Sequence, residues 1–474
     1  MKGCWSAVRS RETEPQAEPF IWRVLLRIPL SIVFLALAAL SPLAGQERLS
    51  LREAVQLAIK QNKGLQASHA SVDVAETGVR QARSSMLPKL TYSESVARSN
   101  NPVFVFGSLL TQHQFTQGNF DIYSLNRPGF LDNFQSTVSA EQVLFDAGQT
   151  RKAVRSAKLE RQMAGEDDRQ SRTQITLSAI QTYLDVALSR EALGAANQAV
   201  RSAQADMERA MQVRTAGMST DADVLSIRVH LSRVREQQIR READLATAEA
   251  ALNDALGLPL DAVHELTTPL SEVKRPSLSL QQLESTAVTG RPEQRRANLA
   301  VNVASTQVDL ARSSFWPRIS VRGTFESDRQ QFANRGGANW LGSVSLTWNV
   351  LNGGADKARL DGANQSLLRA QAERDRLASS VRLGVRRAWE DLRATEQQVD
   401  VAKATVADAE ESLRITQNRY QAGMSTVTDL LRTEVAVADS RIRYLAALHD
   451  QHLAVALIEL ATGTLSVDSL AVNE

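Results

Sequence analysis

Ala216-Gly217-Met218-Ser219-Thr220 and Ala422-Gly423-Met424-Ser425-Thr426 are the same five residues written twice, 206 positions apart. In that register Gly148 falls on Gly354 and Gly257 on Gly463. Upstream, a second register holds at a shift of 229. It brings Leu49-Ser50-Leu51 onto Leu278-Ser279-Leu280, Ala82-Arg83-Ser84-Ser85 onto Ala311-Arg312-Ser313-Ser314, and Pro88 onto Pro317. Neither block needs a gap, so the chain is an internal duplication. The two shifts differ by 23, so the first copy carries 23 extra residues between Pro88 and Gly148. On this reading 46–257 is the first copy, 258–277 a linker holding Pro259, Pro269 and Pro276, 278–463 the second copy and 464–474 a tail.

The repeated pentapeptides sit at the ends of long helical tracts. From Arg151 to Thr215 there is no proline and there are just two glycines, Gly165 and Gly194. At 1.5 Å per residue such a tract makes a rod of about 100 Å. Its copy runs from Asp356 to Gln421. Gly217 and Gly423 then stand where a helix C-terminus favours positive φ. A second helix returns at once in each copy, Asp221–Leu256 and Val427–Thr462. Rods this long are no globular core helices; they imply a coiled coil or a helical array. A further helix is expected from Ser50 to about Ser85, ended by Pro88.

Between these helices the period changes to two. Leu90, Tyr92, Glu94 and Val96 alternate with Thr91, Ser93, Ser95 and Ala97, and Val138, Ala140, Gln142 and Leu144 with Thr137, Ser139 and Glu141. In the second copy Ile319, Val321, Gly323 and Phe325 oppose Ser320, Arg322, Thr324 and Glu326, and Val344, Leu346, Trp348 and Val350 oppose Ser343, Ser345, Thr347 and Asn349. Strands of about ten residues suit a tilted membrane-spanning strand, apolar outside and polar toward a lumen. Four strands are too few for a barrel, which leaves a soluble sheet or a barrel shared between subunits.

At the N-terminus Arg23 and Arg27 precede an apolar run, Ile28 to Leu43, followed by Ala44, Gly45 and Gln46. That order predicts a secretory signal peptide over 1–45; a short membrane anchor is the other reading, disfavoured because the apolar run falls short of the roughly 20 residues needed to span. A lipoprotein signal would need cysteine at Gln46, so no lipid anchor is expected. Residues 1–45 carry five of the 55 basic side chains and three of the 53 acidic ones, leaving 50 of each. Such balance argues against nucleic acid as a partner. The one cysteine, Cys4, lies in the expected signal, so the exported chain has neither disulfide nor thiolate chemistry. No Gly-rich phosphate loop or nucleophile elbow is present. Of the six histidines, His449 and His452 share a helical face and read as polar surface rather than a metal site. An enzyme is not expected, and neither metal nor cofactor.

Leu49-Ser50-Leu51-Arg52-Glu53-Ala54-Val55 with Asn62, Ala82-Arg83 before Pro88, Leu144-Phe145-Asp146-Ala147-Gly148, and Arg419-Tyr420-Gln421-Ala422-Gly423 with Asp429-Leu430-Leu431 form a recognisable series. Their order, duplication and spacing resemble the TolC-like outer membrane efflux proteins over nearly the whole exported sequence. The resemblance implies a mainly α fold with β: a homotrimer whose four strands per chain close a twelve-stranded transmembrane barrel, continued by a periplasmic α-helical coiled-coil barrel. It implies a passive exit duct of an efflux or type I secretion system in the outer membrane of a Gram-negative-type bacterium. Its partners would be outer-membrane lipid, a periplasmic adaptor and an inner-membrane transporter of the RND or ABC type. A periplasmic coiled-coil adaptor or structural protein is the alternative, but such a protein lacks four strands placed before long helices in a duplicated pattern.

Thr220 with Asp223, and Thr426 with Asp429, read locally as capping boxes with Asp in the place of Glu. The resemblance adds a second reading. Family acids at the position of Asp429 line the periplasmic constriction, and a tyrosine at the position of Tyr420 holds it shut. Arg432 departs from the family, which carries a second acid there. Gly217, Met218, Ser219 and Thr220, with Gly423, Met424, Ser425 and Thr426, are the candidate adaptor-docking tips; turn chemistry alone is the other reading. The extra residues fall within Arg98–Phe134, a loop rich in phenylalanine that the resemblance places at the cell surface.

Overall fold

Ser50 begins the helical part of the chain. Its Oγ accepts the Glu53 N–H at 3.3 Å, and the Glu53 carboxylate accepts the Ser50 N–H at 2.8 Å, so two otherwise unpaired donors are satisfied reciprocally. The computed structural model describes residues 47–473 apart from 218, 219, 276 and 335. The expected signal segment, 1–45, lies outside the described residues.

In the first half a short strand β1 (Glu47–Leu49) leads to helices α1 (Leu51–Gln61) and α2 (Lys63–Ser84) and strand β2 (Lys89–Ser99). Two short helices follow, α3 (Pro102–Thr111) and α4 (Ile122–Asn126), then strand β3 (Leu131–Phe145), the rod α5 (Gln149–Thr215) and the return helix α6 (Asp221–Leu256). After a short strand β4 (His264–Leu266) the series recurs as α7 (Leu280–Gly290), α8 (Pro292–Ser313), β5 (Arg318–Arg329), β6 (Gly337–Thr347), α9 (Ala355–Gln421) and α10 (Val427–Thr462), with α11 (Leu470–Asn473) at the end. The paired helices match residue for residue: 11 and 11, 22 and 22, 67 and 67, 36 and 36.

The structure breaks the single helix expected from Ser50 to Ser85. At Asn62 the backbone turns extended (ψ 126), and the side-chain oxygen accepts the N–H groups of Gly64 and Leu65 at 2.8 and 3.4 Å. The amide also donates to Ala255 O at 3.0 Å, tying this break to the end of α6. One strand is shorter than its alternation. β6 stops at Thr347, because its partner β5 begins at Arg318 just after Pro317 and offers nothing further to pair with. Trp348 instead donates Nε1 to Phe315 O at 3.1 Å, and Val350 stands exposed outside the ladder.

The four long strands form one antiparallel sheet in the order β2-β3-β5-β6. The helices that enter or leave these strands pack in the same order, α2 on α5, α5 on α8 and α8 on α9. The sheet therefore continues into a four-helix layer without reordering. Strand-to-helix corners repeat as well. Asp146 accepts Gly148 N and Thr150 N at 3.0 and 2.7 Å, and Asn352 at the matching place bonds the Asp356 carboxylate at 2.5 Å.

The main core lies at mid-length of the rods. Leu51, Val55, Ile180, Tyr183, Leu256, Val385 and Ile458 are completely buried there; each large aliphatic contributes about 2 kcal/mol. The inter-repeat segment wraps this level: Tyr183 Oη accepts Thr268 N at 3.0 Å and donates to Leu49 O at 3.1 Å. His449 and His452 belong to the same level and are buried, contrary to the surface reading. His452 Nε2 lies 2.9 Å from Ala471 O, and His449 bridges Asp185 and Asp450 at 3.0 Å each. They serve as ties between α5, α10 and the docked tail, with Glu459 accepting Leu470 N at 2.9 Å. Among the described residues no group of three or more His, Cys, Asp or Glu could hold a metal ion.

Candidate functional site

Two regions of the fold are built to do something other than hold it together: the faces of the sheet and the tips of the helical hairpins.

On one face of the sheet Leu90, Tyr92, Val96, Trp340, Val344 and Leu346 are all more than 60% exposed. Soluble proteins rarely leave a contiguous apolar surface of that extent in water. The opposite face carries Thr91, Ser93, Ser139, Thr324 and Ser343, with Arg322 and Glu141 paired at 2.6 Å. Exposed aromatic side chains accompany the apolar band: Tyr92 and Trp340 lie in one row across it, and Phe315, Trp316 and Trp348 flank the helix-proximal ends of β5 and β6. β2 and β6 are the outer strands, so each has one side without a neighbour. Among the described residues no helix is long and apolar enough to cross a membrane; the sheet is the part with the required surface.

At the tips the rods end on glycine. Gly217 and Gly423 have φ +75 and +71, and Met424 N reaches back to Arg419 O at 2.8 Å, closing the last turn as a left-handed cap does. Thr220 and Thr426 then start the return helices with full capping boxes. Thr220 Oγ1 accepts Asp223 N and donates to the Asp223 carboxylate at 2.8 Å; Thr426 does the same with Asp429 at 2.7 Å. The hydrogen bond from Thr426 holds the Asp429 carboxyl below the usual carboxylate range, with Arg432 assisting. Ser425 Oγ lies 3.4 Å from the same carboxylate. Met424 is 65% exposed and Arg432 is exposed. Met218 and Ser219 lie outside the described residues.

The two tips pack differently around Arg214 and Asp221 and their counterparts. In the first copy Arg214 pairs with Asp221 at 2.6 Å, both exposed. In the second copy those places hold Tyr420 and Val427, which pack with Met207, Ala210, Val224, Ile227 and Leu431. That cluster draws on α5, α6, α9 and α10, so Tyr420 joins the two hairpins. Burial pushes its phenol up, and Asp223 adds to the effect.

One group of functional character escaped the sequence reading. His230 on α6 lies 3.6 Å from Glu434 on α10, and Glu434 hydrogen-bonds to Asp206 on α5. Burial, then Asp206, pushes the Glu434 carboxyl up to about 8; burial, then Arg233, pushes the His230 imidazole down. The available signal was spacing. His230 falls on the buried stripe Val224, Ile227, Val234, and Glu434 on the stripe Leu430, Val437.

Helical hairpins carried below a sheet with an apolar outer face are the parts of an exported membrane conduit. The family model described as outer membrane efflux protein matches residues 54–258 and 283–464, one stretch in each copy. The chain belongs to the outer membrane efflux protein family. It is 26% identical over 442 residues to the outer membrane efflux protein BepC of Brucella suis, covering 91% of this chain and 89% of that one. It is 24% identical to the alkaline protease secretion protein AprF of Pseudomonas aeruginosa, covering 88% and 85%. Among solved structures, the CmeC outer membrane channel of Campylobacter jejuni superposes with a TM-score of 0.73 at 18% identity over 88% of this chain and 87% of that one. The open-state MtrE channel of Neisseria gonorrhoeae gives 0.71 at 17% identity over 88% and 91%. The protein is an outer-membrane component of efflux or secretion.

Proposed function

We propose that three copies of this chain join edge to edge, β2 of one to β6 of the next, and close a twelve-stranded barrel across the outer membrane. The duplicated halves, 46–257 and 278–463, place two hairpins and two tips per chain around a periplasmic helical tunnel with pseudo-sixfold symmetry. The duct is passive: an inner-membrane transporter of the RND or ABC type selects cargo and a periplasmic adaptor joins it to the tips. The observation that carries this reading is the four-stranded sheet with an exposed apolar face and two unpaired edges. Neither feature is tolerable in a monomer in water, and closure within a bilayer removes both.

On this reading Asp429, Tyr420, Arg432 and Asp223 form the periplasmic gate, and residues 217–220 and 423–426 receive the adaptor. No step of chemistry is assigned to the chain. Detergent extraction of the outer membrane followed by mass measurement tests the assembly. A three-chain particle that dissociates on heating and conducts ions in a planar bilayer supports it; a soluble periplasmic monomer contradicts it.

A further inference from the structure

The first hairpin carries a folded insertion, 100–130, that the second lacks. It closes on itself through edge-on ring contacts, Phe106 to Phe115 at 4.9 Å and Phe115 to Phe120 at 5.1 Å. Asn101 caps α3 through Val103 N and Phe104 N at 3.0 and 3.2 Å. The insertion springs from the end of the sheet remote from the helices, since β2 leaves α2 at Lys89 and ends at Ser99.

Its contacts fix the direction in which it folds. Gln112, 2% exposed, donates to Asn133 Oδ1 at 2.8 Å, and Asn133 donates to Asp328 Oδ1 at 2.7 Å. Asn339 donates to Thr111 O at 3.1 Å. A Cβ on Gly337 would stand 2.0 Å from Thr111 O, so the insertion seats directly against the start of β6. The register pairs Gln135 with Asp328 and Glu326 with Asn339. Asn133, Asp328 and Asn339 therefore all belong to the polar face, two or more positions along from Ser139, Thr324 and Ser343. These contacts all lie on the polar side; at the end of the insertion Phe130 meets Arg98, on the other side, at 5.6 Å.

We infer that residues 100–130 form a lid folded inward over the extracellular mouth of the duct, latched by Gln112, Asn133 and Asp328. The inference rests on the closed barrel proposed above, in which the polar face lines the lumen. Three such lids would project from the rim toward the axis, each carrying Phe120 and Tyr123, which are both more than 60% exposed. The latch is incompletely satisfied. Gln112 Oε1 is buried without a protein partner, and the Asp328 carboxyl also meets Glu326 through a side-chain hydrogen bond; the unpaired Gln112 oxygen lowers the cost of opening. This extracellular constriction would thus be weaker than a sealed plug and displaceable by cargo.

The test uses the full chain in intact cells and thiol labelling with a bulky membrane-impermeant maleimide added outside. Ser139→Cys places the thiol in the lumen below the lid, and Val344→Cys places one on the apolar face. Labelling of Ser139→Cys should rise about tenfold when Gln112→Ala is added, the scale of one lost buried hydrogen bond, and at least as much when 102–128 is deleted. Val344→Cys should stay protected by lipid throughout. Equal Ser139→Cys rates with and without the lid, with Val344→Cys protected, overturn the lid and leave the barrel standing. Rapid labelling of Val344→Cys overturns the barrel reading itself.

Discussion

Nε2 of His230 lies 3.6 Å from the Glu434 carboxylate, joining the two helical hairpins about three turns from their tips. The groups face each other on α6 and α10, with Asp206 and Arg209 contributed by α5. Burial favours the neutral form of both, so the contact is held without charge near neutral pH.

This pair gives the periplasmic hairpins a pH dependence with a definite sign. Glu434 has its folded pKa raised from 4.5 to about 8, so its contribution to stability is complete below 4.5 and is lost as pH rises toward 8. His230 has its folded pKa lowered below 6.5, so its contribution is present above 6.5 and is lost as pH falls. Between pH 6.5 and 8 Glu434 is the member of this pair that changes; His449, held above 6.5 by its hydrogen bond to Asp185, adds a loss of the same sign as pH rises. Thermal unfolding of the purified protein should show Tm falling across that window. Glu434→Gln should make the fall shallower, down to the part left by His449. An identical slope in the variant rejects the assignment.

Capping and gating by Asp429 can be separated by comparison with Asp223. Each aspartate completes the same capping box, so Asp223→Ala and Asp429→Ala should each lower stability by a similar amount. If Asp429 also lines the constriction, only its substitution should change block of the channel by multivalent cations. Unchanged block in planar bilayers, with the stability loss present, leaves capping as its whole role.

Tyr420 and Arg214 occupy equivalent places and should respond unequally. Arg214→Ala removes an exposed ion pair and should cost less than about 1 kcal/mol. Tyr420→Ala empties part of an apolar cluster shared by both hairpins and should cost about 2 kcal/mol. It should also raise the resting conductance of the channel, because the two hairpins are then held together less firmly. Equal effects of the two substitutions on conductance contradict the asymmetry.

The tips provide a test that spares the assembly. Ser425→Trp places bulk on the second tip, and Ser219→Trp makes the same change in the first copy of the repeated pentapeptide. Crosslinking to the periplasmic adaptor should fall to background while the yield of oligomer is unchanged. Retained crosslinking points to turn chemistry alone.

Glycine and threonine made the hairpins legible in the sequence. A left-handed cap followed by a Thr-x-x-Asp box admits few alternatives, and both return helices begin and end where those residues require. The break at Asn62 was hidden because apolar residues keep helical spacing on either side of it. The duplication held the answer: at the shift of 229 Lys63 falls on Pro292, which opens α8 after the same break. The burial of His449 and His452 was not visible in the helical period, since Asp185 is 264 residues from His449 and Ala471 O comes from the tail beyond α10. Glu434 and His230 were legible in principle, as titratable residues on apolar stripes. The inward fold of the 100–130 insertion depends on Gln112 meeting Asn133, which no periodicity reveals.

The central claim is that the two free edges of the sheet meet between chains. Beyond Cys4 the sequence contains no cysteine, so introduced pairs report without background. A set combining Thr91→Cys, Ser93→Cys or Ser95→Cys on β2 with Ser343→Cys, Ser345→Cys or Thr347→Cys on β6 should, on oxidation in the outer membrane, give at least one pair that crosslinks chains into a ladder ending at three. Crosslinking confined to single chains, or a ladder that continues past three, would contradict the closed trimeric duct.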